Sequence, residues 1–587
     1  MRTNRGSALV VALGAAVVLA TLGLAMVSRT IHDSRIVEIN RSYYRALYAA
    51  EAGAETVRQD LTNAFADVFR AGQQLPYMFG WLDDLAQAEE SPAYDRSALS
   101  GTITGGGNYN VFINKVENPT DPIETGVRFI TIRSTGINGG ISKTIEVTFR
   151  VGLGPSPVFN YAYFVNNFGW FYGGGIHANG DVRSNGDFAF QGNPTVNGDA
   201  YAAANPALSA PGDIYGNHQW DTIDWYRNHT GDRSRPTDPT ADPEDANGNG
   251  VLDTGEDRNG NGVLDDFEYE YGYDGFSEEF EHQDVLEMPY LGDLALYRTI
   301  ATVEGGSISQ GGTTIVDAVY NGDGPDGVSG TADDGCVLLV GTAADPIVID
   351  GPVVIEKDVI LRGYITGQGT IYSGRNTHVI GDLVYYDPPC WTKPDEDPET
   401  TAAVNAGKDM VGLMSKGNVV LGDYTQGGWL STTNRYLRPP FTQSYETDPT
   451  DAPNGYDSDG YAGNGYWFDG DYTAWDGGMR NRDPSGMATE RRAYYQSSVD
   501  DATVHAAATN QVNQVDAILY TNHACTGKVG AFEINGAMVA RDEAIIYSGS
   551  IHMNYDMRAY AGALESIDFY LARSLGAPDI LVWREIR

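Results

Sequence analysis

The sequence predicts a mainly β protein with a long N-terminal α-helix: a helix plus an antiparallel sheet, then a β-solenoid (β-helix) domain with long insertions. Three patterns carry that prediction. Ser7 to Ser28 holds neither charge nor proline, and helical apolar spacing continues beyond it. Three alternating runs follow between residues 108 and 151. A period of six residues then appears in two distant parts of the chain.

The first run, at ~1.5 Å rise per residue, spans ~33 Å as a helix and crosses a ~30 Å hydrocarbon core. Ile36, Ile39, Tyr43, Leu47, Ala50, Ala54, Val57, Leu61, Phe65 and Val68 carry an apolar stripe onward at spacings of three and four. Arg29, Asp33, Arg35, Glu38, Arg41, Arg45 and Glu51 take the other faces. Residues 7–28 are thus a transmembrane segment, and 29–70 its amphipathic continuation. A secretory signal has an apolar core of about 7–15 residues and an Ala-x-Ala-like site. This run is longer and no clean site follows it, so the plainer alternative is a simple anchor.

Arg2 and Arg5 precede Gly6, and Ser7 opens the apolar run. This leader and helix resemble the type III (prepilin-type) signal and N-terminal helix of type IV pilins. The run Tyr43–Glu55, Tyr-Tyr-Arg-Ala-Leu-Tyr-Ala-Ala-Glu-Ala-Gly-Ala-Glu, is similar to the Ala-Glu-Ala segment of PilX-type minor pilins and large minor pseudopilins. The resemblance implies that prepilin peptidase cuts after Gly6, removing a leader at 1–6 and leaving Ser7 first. It implies a single pass through the inner membrane with a cytoplasmic N-terminus, a body in the periplasm or on a surface filament, and other pilins or pseudopilins as partners. Major pilins carry Glu at the fifth mature position, where this chain has Val11. That departure points to a minor or capping subunit.

Composition narrows the rest. The chain has 587 residues, enough for several domains. With Gly 71, Tyr 36 and charged residues at 20%, short strands and tight turns are favoured over helix bundles. A net charge of −41 repels phosphate backbones, which excludes a nucleic-acid partner, and attracts divalent cations. Cys336, Cys390 and Cys525 lie far apart, with no Cys-x-x-Cys. One disulfide is possible in an oxidising compartment, and the sequence does not select its pair.

After the helix, Gln73 to Ser100 reads as a connector. Asn108–Val116, Val127–Ser134 and Ser142–Val151 read as antiparallel strands of a sheet at 100–152, packed on the second half of the helix. In the third, Ile145, Val147, Phe149 and Val151 face one side.

From 155 to 587 the pattern is that of a solenoid. Asn179-Gly180-Asp181, Asn185-Gly186-Asp187 and Asn197-Gly198-Asp199 repeat one tripeptide, with Ile176, Val182 and Phe188 in step. Ile347, Val353, Val359, Ile365 and Ile371 recur every six residues, and Ile349, Ile355 and Leu361 form a parallel series. Short strands that stack inward residues on the rung below produce this period, with ~18 residues per coil. These segments, with Gly417–Asp423, Phe532–Arg541 and Met553–Arg558, resemble an uncharacterised solenoid domain found behind PilX-type N-termini in bacterial envelopes. The stretch 424–498, rich in Gly and Tyr, reads as an excursion from it.

The sharpest chemical motif lies at 242–273. Asp245, Asn247, Asn249, Val251, Asp253 and Glu256 fall on positions 1, 3, 5, 7, 9 and 12 of a calcium loop. Asp257, Asn259, Asn261, Val263, Asp265 and Glu268 repeat the set at once. Gly250 and Gly262 permit the turn at position 6, and the valines offer main-chain carbonyls. The loops abut with no helix between them, so they resemble dockerin-type or thrombospondin-3-type repeats, where Ca2+ is structural. A weaker Asp/Gly cluster is Asp323, Asp326, Asp333 and Asp334, which reads equally as a turn. Asp457-Ser458-Asp459-Gly460 reads as a turn only.

No catalytic motif is present: there is no His-Glu-x-x-His, Gly-x-Ser-x-Gly or Walker loop. The expected function is therefore structural. The chain reads as a minor pilin-like subunit of a type IV pilus or type II secretion system that displays a calcium-stabilised body for adhesion, capping or contact with surface glycans or secreted substrates. The competing readings are a surface polysaccharide-active β-helix enzyme, which rests on fold analogy, and a static envelope scaffold anchored in the inner membrane.

Overall fold

The computed structural model describes residues 5–70, 99–104, 106–117, 126–166, 169–191, 194–205, 210–215, 279–289, 291, 294–390, 403–433, 495–509, 511–522, 524–541, 543–547, 549–560, 570–576 and 578–586. Within them the protein is mainly β with one long N-terminal helix. Helix α1 runs unbroken from Arg5 to Arg70, about 100 Å at the α-helical rise.

The second half of α1 lies on an antiparallel sheet of β1 (Leu99–Ile103), β2 (Gly107–Glu117), β3 (Val127–Asn138) and β4 (Ile141–Pro155). The three sequence-predicted strands sit inside β2, β3 and β4. β1 takes its first two residues from the stretch read as a connector. Alternation decides the buried face: Ile130, Ile132 and Ser134 of β3 and Ile145, Val147, Phe149 and Val151 of β4 are at most 1% exposed.

One boundary is corrected. The sequence pattern predicts a single unit over 155–587, yet Arg573–Leu575 and Asp579–Ile586 pair antiparallel with β4 of the small sheet. Asp579 stands opposite Arg150 and Arg584 opposite Glu146. The free edge of β4 offers unpaired backbone groups, and the returning chain satisfies them. Glu146 then sits between two guanidiniums. Arg133 Nε and Arg584 Nε are each 2.9 Å from its oxygens. Together they hold the Glu146 carboxyl below its usual range, Arg133 more strongly.

Among the described residues, the strands between β4 and that return form a ladder of twenty strands and a separate three-stranded sheet; the ladder is parallel except at Ser307–Gln310, which pairs antiparallel with Thr313–Asp317 and with Ile347–Ile355. Ile347 lies opposite Ile365, and Val353 opposite Ile371, a step of eighteen residues. All five members of the 347–371 series are 0% exposed, as expected for inward residues stacked on one another. Ile176, read as their counterpart, is only partly buried.

The order of the rungs departs from the order of the chain. One buried column runs Val353, Ile371, Leu413, Leu519, Met538, Tyr163, Val182, Ala200 through successive parallel pairings. Residues 163–203 therefore extend the ladder beyond 524–555, although they come first in sequence. The chain joins the ladder at an interior rung, builds to one end, crosses to the other at Ser307 and returns. Helix α2 (Ala295–Glu304) lies on the crossing. Its Tyr297 stacks on Tyr372 at 4.2 Å, and the Tyr297 hydroxyl accepts the Arg573 N–H at 2.9 Å.

The repeated Asn-Gly-Asp now has a physical cause. Asn197 Nδ2 donates to Asn179 at 2.8 Å, Asn179 to Asn554 at 2.7 Å, Asn554 to Asn535 at 2.7 Å, and Asn535 to Asp516 at 2.8 Å. This amide column crosses the join between the two chain segments. Gly180 has φ +144°, and a Cβ there would lie 2.6 Å from Tyr555 Cβ. Asp181 accepts the backbone N–H of Asp199 from the next rung at 2.9 Å. Burial pushes its carboxyl up to about 6.

A buried ion pair closes the far side of the last turn. Arg558 Nη2 meets Asp556 at 2.7 Å, and its other donors reach the carbonyls of Asn405, Lys408 and Asp409. A buried guanidinium is tolerated because its charge and its N–H groups are matched in this way. Cys336 and Cys525 are buried and Cys390 is exposed; all three are free thiols. Burial pushes the Cys336 thiol up to about 11 and that of Cys525 up to about 12.

Candidate functional site

Helix α1 divides sharply into two halves. From Leu9 to Ile39 its large apolar side chains stand bare: Leu9 is 72% exposed, Leu24 71% and Ile39 57%. This is the one helix among the described residues long and apolar enough to cross a membrane. Bare apolar surface on that scale is costly in water, which makes the segment a candidate anchor. Gly6 and Ser7, the predicted processing position, lie in its first turns. Ile36 and Ile39, where the apolar stripe begins, are exposed; burial against the sheet begins about two turns later.

The buried half is built from small residues. Ala46, Ala49 and Ala50 are 0% exposed and Ala54 7%, followed by Val57 and Leu61. The spacing is set by contact with the sheet backbone. A Cβ on Gly136 would lie 1.9 Å from the Ala46 carbonyl oxygen, and one on Gly53 would lie 2.5 Å from Ser134 Oγ. Ser134 Oγ donates to the Ala50 carbonyl at 2.6 Å. The run of alanines and glycine at 46–54 is thus the helical side of a close backbone approach.

A three-way lock marks where the helix leaves the sheet. Tyr43 Oη is 3.1 Å from Glu585 of the returning C-terminal strand. Lys143 Nζ reaches the same carboxylate at 2.6 Å and sits 4.0 Å above the Tyr43 ring. Hydrogen bond, ion pair and cation–π contact join α1, β4 and the C-terminal strand at that point.

The twelve predicted calcium ligands from Asp245 to Glu268 lie outside the described residues, as does most of 424–498. The weaker set is described. Asp333 accepts the Asp326 N–H at 3.1 Å and the Thr331 hydroxyl at 2.7 Å, and Asp334 accepts the Gly330 N–H at 2.7 Å. Those carboxylates brace a turn at 323–334.

A different group brings metal-ligating atoms together. Ligand atoms of Asp213, Glu281 and His282 all lie within 4.8 Å of one another. Asp213 is 8% exposed. His282 Nδ1 is 3.6 Å from Asp213 Oδ1 and 2.9 Å from the Pro211 carbonyl. Glu281 Oε1 accepts the Ile214 N–H at 2.8 Å. Gly212-Asp213 continues the Gly-Asp step of the earlier repeats, but no local pattern ties it to residues 281 and 282.

Comparison with known proteins adds little. No family model matches the chain, and no curated protein matches it. Among solved structures it is similar to the competence-associated pilin ComZ from Thermus thermophilus, at 11% identity, with 93% of this chain and 97% of that chain covered and a TM-score of 0.25. A TM-score that low establishes neither a shared fold nor a shared role.

Proposed function

We propose that this chain is a structural, non-catalytic subunit of pilin type, a PilX-like minor pilin or large minor pseudopilin of a type IV pilus or type II secretion system. The observation that carries the reading is the division of α1. One continuous helix is apolar to Ser28, keeps its large apolar side chains bare to Ile39, and is then seated by alanines on an antiparallel sheet. The bare half suits the inner membrane or the helical core of a filament. The seated half couples it rigidly to a large acidic body.

In this reading the parallel ladder is a β-solenoid, displayed outside the cytoplasm for adhesion, capping or contact with glycans or secreted substrates. The loops at 245–268 hold structural Ca2+. Prepilin peptidase cleaves between Gly6 and Ser7. The Gly-Ser step and the Tyr43–Glu55 run support these assignments by resemblance.

The test is co-expression with a prepilin peptidase, followed by N-terminal sequencing of membrane-extracted and filament-sheared protein. The expected mature chain begins at Ser7, and substitution of Gly6 blocks the change. An unprocessed chain that stays in the membrane would leave the plain-anchor reading. Calorimetry on the full chain in detergent tests the metal: Glu256→Gln and Glu268→Gln should each weaken calcium binding, and absence of heat at ~1 mM calcium would remove the calcium assignment.

A further inference from the structure

Strand Glu279–Gln283 carries an irregularity at its centre. Phe280 stands opposite Tyr201, but Gln283 stands opposite Ala203, so Glu281 and His282 together face a single residue. His282 has φ +55°, a left-handed conformation unusual outside glycine. Side chains on a regular strand alternate faces. The irregularity lets two consecutive side chains, Glu281 and His282, both bring ligand atoms to Asp213. Bulges of this kind re-aim side chains.

The three groups come from both ends of one stretch. Asp213 immediately precedes strand Ile214–Tyr215, where the chain leaves for residues 216–278. Glu281 and His282 lie on the strand where it returns.

We propose that Asp213, Glu281 and His282 form a divalent transition-metal site of the Zn2+ class, separate from the calcium loops, that clamps the base of residues 216–278 to the end of the ladder. The donor set is one imidazole nitrogen and two carboxylates. Calcium prefers six to eight oxygens, whereas imidazole with carboxylate suits zinc and its neighbours. Donors ~2.0–2.1 Å from a tetrahedral metal stand ~3.4 Å apart. The His282 Nδ1 to Asp213 Oδ1 separation of 3.6 Å is already close to that value.

In the metal-free protein the Nδ1–H donates to the Pro211 carbonyl at 2.9 Å. A metal takes the place of that proton and gains Nδ1, an oxygen of each carboxylate and, within reach, the Pro211 carbonyl. The displaced proton moves to Nε2, so the ring binds as a neutral imidazole. The His282 side chain is 60% exposed, which leaves the ring room to adjust. The site joins two strands that are far apart in sequence, so occupancy should stabilise the fold. The inference does not depend on the pilin reading.

The experiment uses the full chain in detergent at saturating calcium, with Cys390→Ser throughout to remove the exposed thiol. Co2+ is titrated and followed by its visible absorption, then displaced with Zn2+, and thermal unfolding is recorded with and without Zn2+. The expected result is one Zn2+-displaceable Co2+ per chain. Affinity should fall at least tenfold in Glu281→Gln and in Asp213→Asn, and be unchanged in Glu256→Gln/Glu268→Gln. His282→Gly is the second variant. It relieves the left-handed backbone, so the metal-free protein should unfold at or above the wild-type temperature, while the Zn2+-induced rise disappears. No stoichiometric Co2+ signal, or a signal that survives in Glu281→Gln and His282→Gly, overturns the proposal.

Discussion

The joint between α1 and its sheet and the long parallel ladder are held in opposite ways. The joint is a steric fit: a carbonyl of the helix rests where any Cβ on Gly136 would have to be. The ladder is a sum of repeated columns in which each rung adds an apolar side chain to a series, and the rungs from Asp516 to Asn197 add a side-chain hydrogen bond as well. A fit of the first kind fails at a single atom. A stack of the second kind loses stability in small steps. The same protein thus has one brittle interface and one redundant one.

Gly136→Val is the most direct way to break that contrast. The new side chain meets main chain rather than a flexible tip, so α1 must lift from the sheet. The expected cost is more than ~4 kcal/mol, or failure to accumulate folded protein, read by thermal unfolding and by protease cleavage near 46–61. Wild-type stability would show that the helix is not seated as described.

His378 tests whether the ladder's flank has a weak point of its own. It is 0% exposed, neither ring nitrogen has a hydrogen-bond partner among the described residues, and Tyr424 lies 5.0 Å away. Burial pushes its imidazole down to about 4. The unfolded chain binds this proton near pH 6.5, the folded chain only near pH 4. The stability that depends on a neutral His378 is therefore complete above pH ~6.5 and is lost as pH falls toward 4, by at most ~3 kcal/mol. Urea unfolding at pH 7, 5.5 and 4.5 should show this slope in the wild type and a shallower one in His378→Leu. Equal slopes would mean that the acid sensitivity arises elsewhere.

Asn554→Ala should have the smallest effect. It removes one member of the amide column, leaving a donor on Asn179 and an acceptor on Asn535, for ~1–2 kcal/mol in chemical unfolding. A loss as large as that of Gly136→Val would mean that the join between residues 163–203 and 524–555 behaves as a second brittle interface.

How much of this was legible from sequence follows the same division. The apolar residues of β3 and β4 at Ile130, Ile132, Ile145, Val147, Phe149 and Val151 fall on alternate positions because one face is buried, so those strands could be read from the sequence. The interval of six at 347–371 was legible because inward residues must superpose. The order of the rungs was not, since Met538 and Tyr163 meet through tertiary closure that neither local sequence encodes. The C-terminal strand was missed for a related reason. All of Asp579–Arg584 is exposed, so it shows no alternation to read. The group at Asp213, Glu281 and His282 was missed because it depends on a bulge that brings distant residues together.

The returning strand has a mechanical consequence. The strand that leads into the large body, β4, and the strand that leads out of it are antiparallel neighbours in the small sheet that grips α1. The whole body is therefore a single very long loop between two adjacent strands. A pull on the anchor against that body is shared by both strands near Tyr43, Lys143 and Glu585, loading their hydrogen bonds together in shear instead of peeling rungs off one at a time.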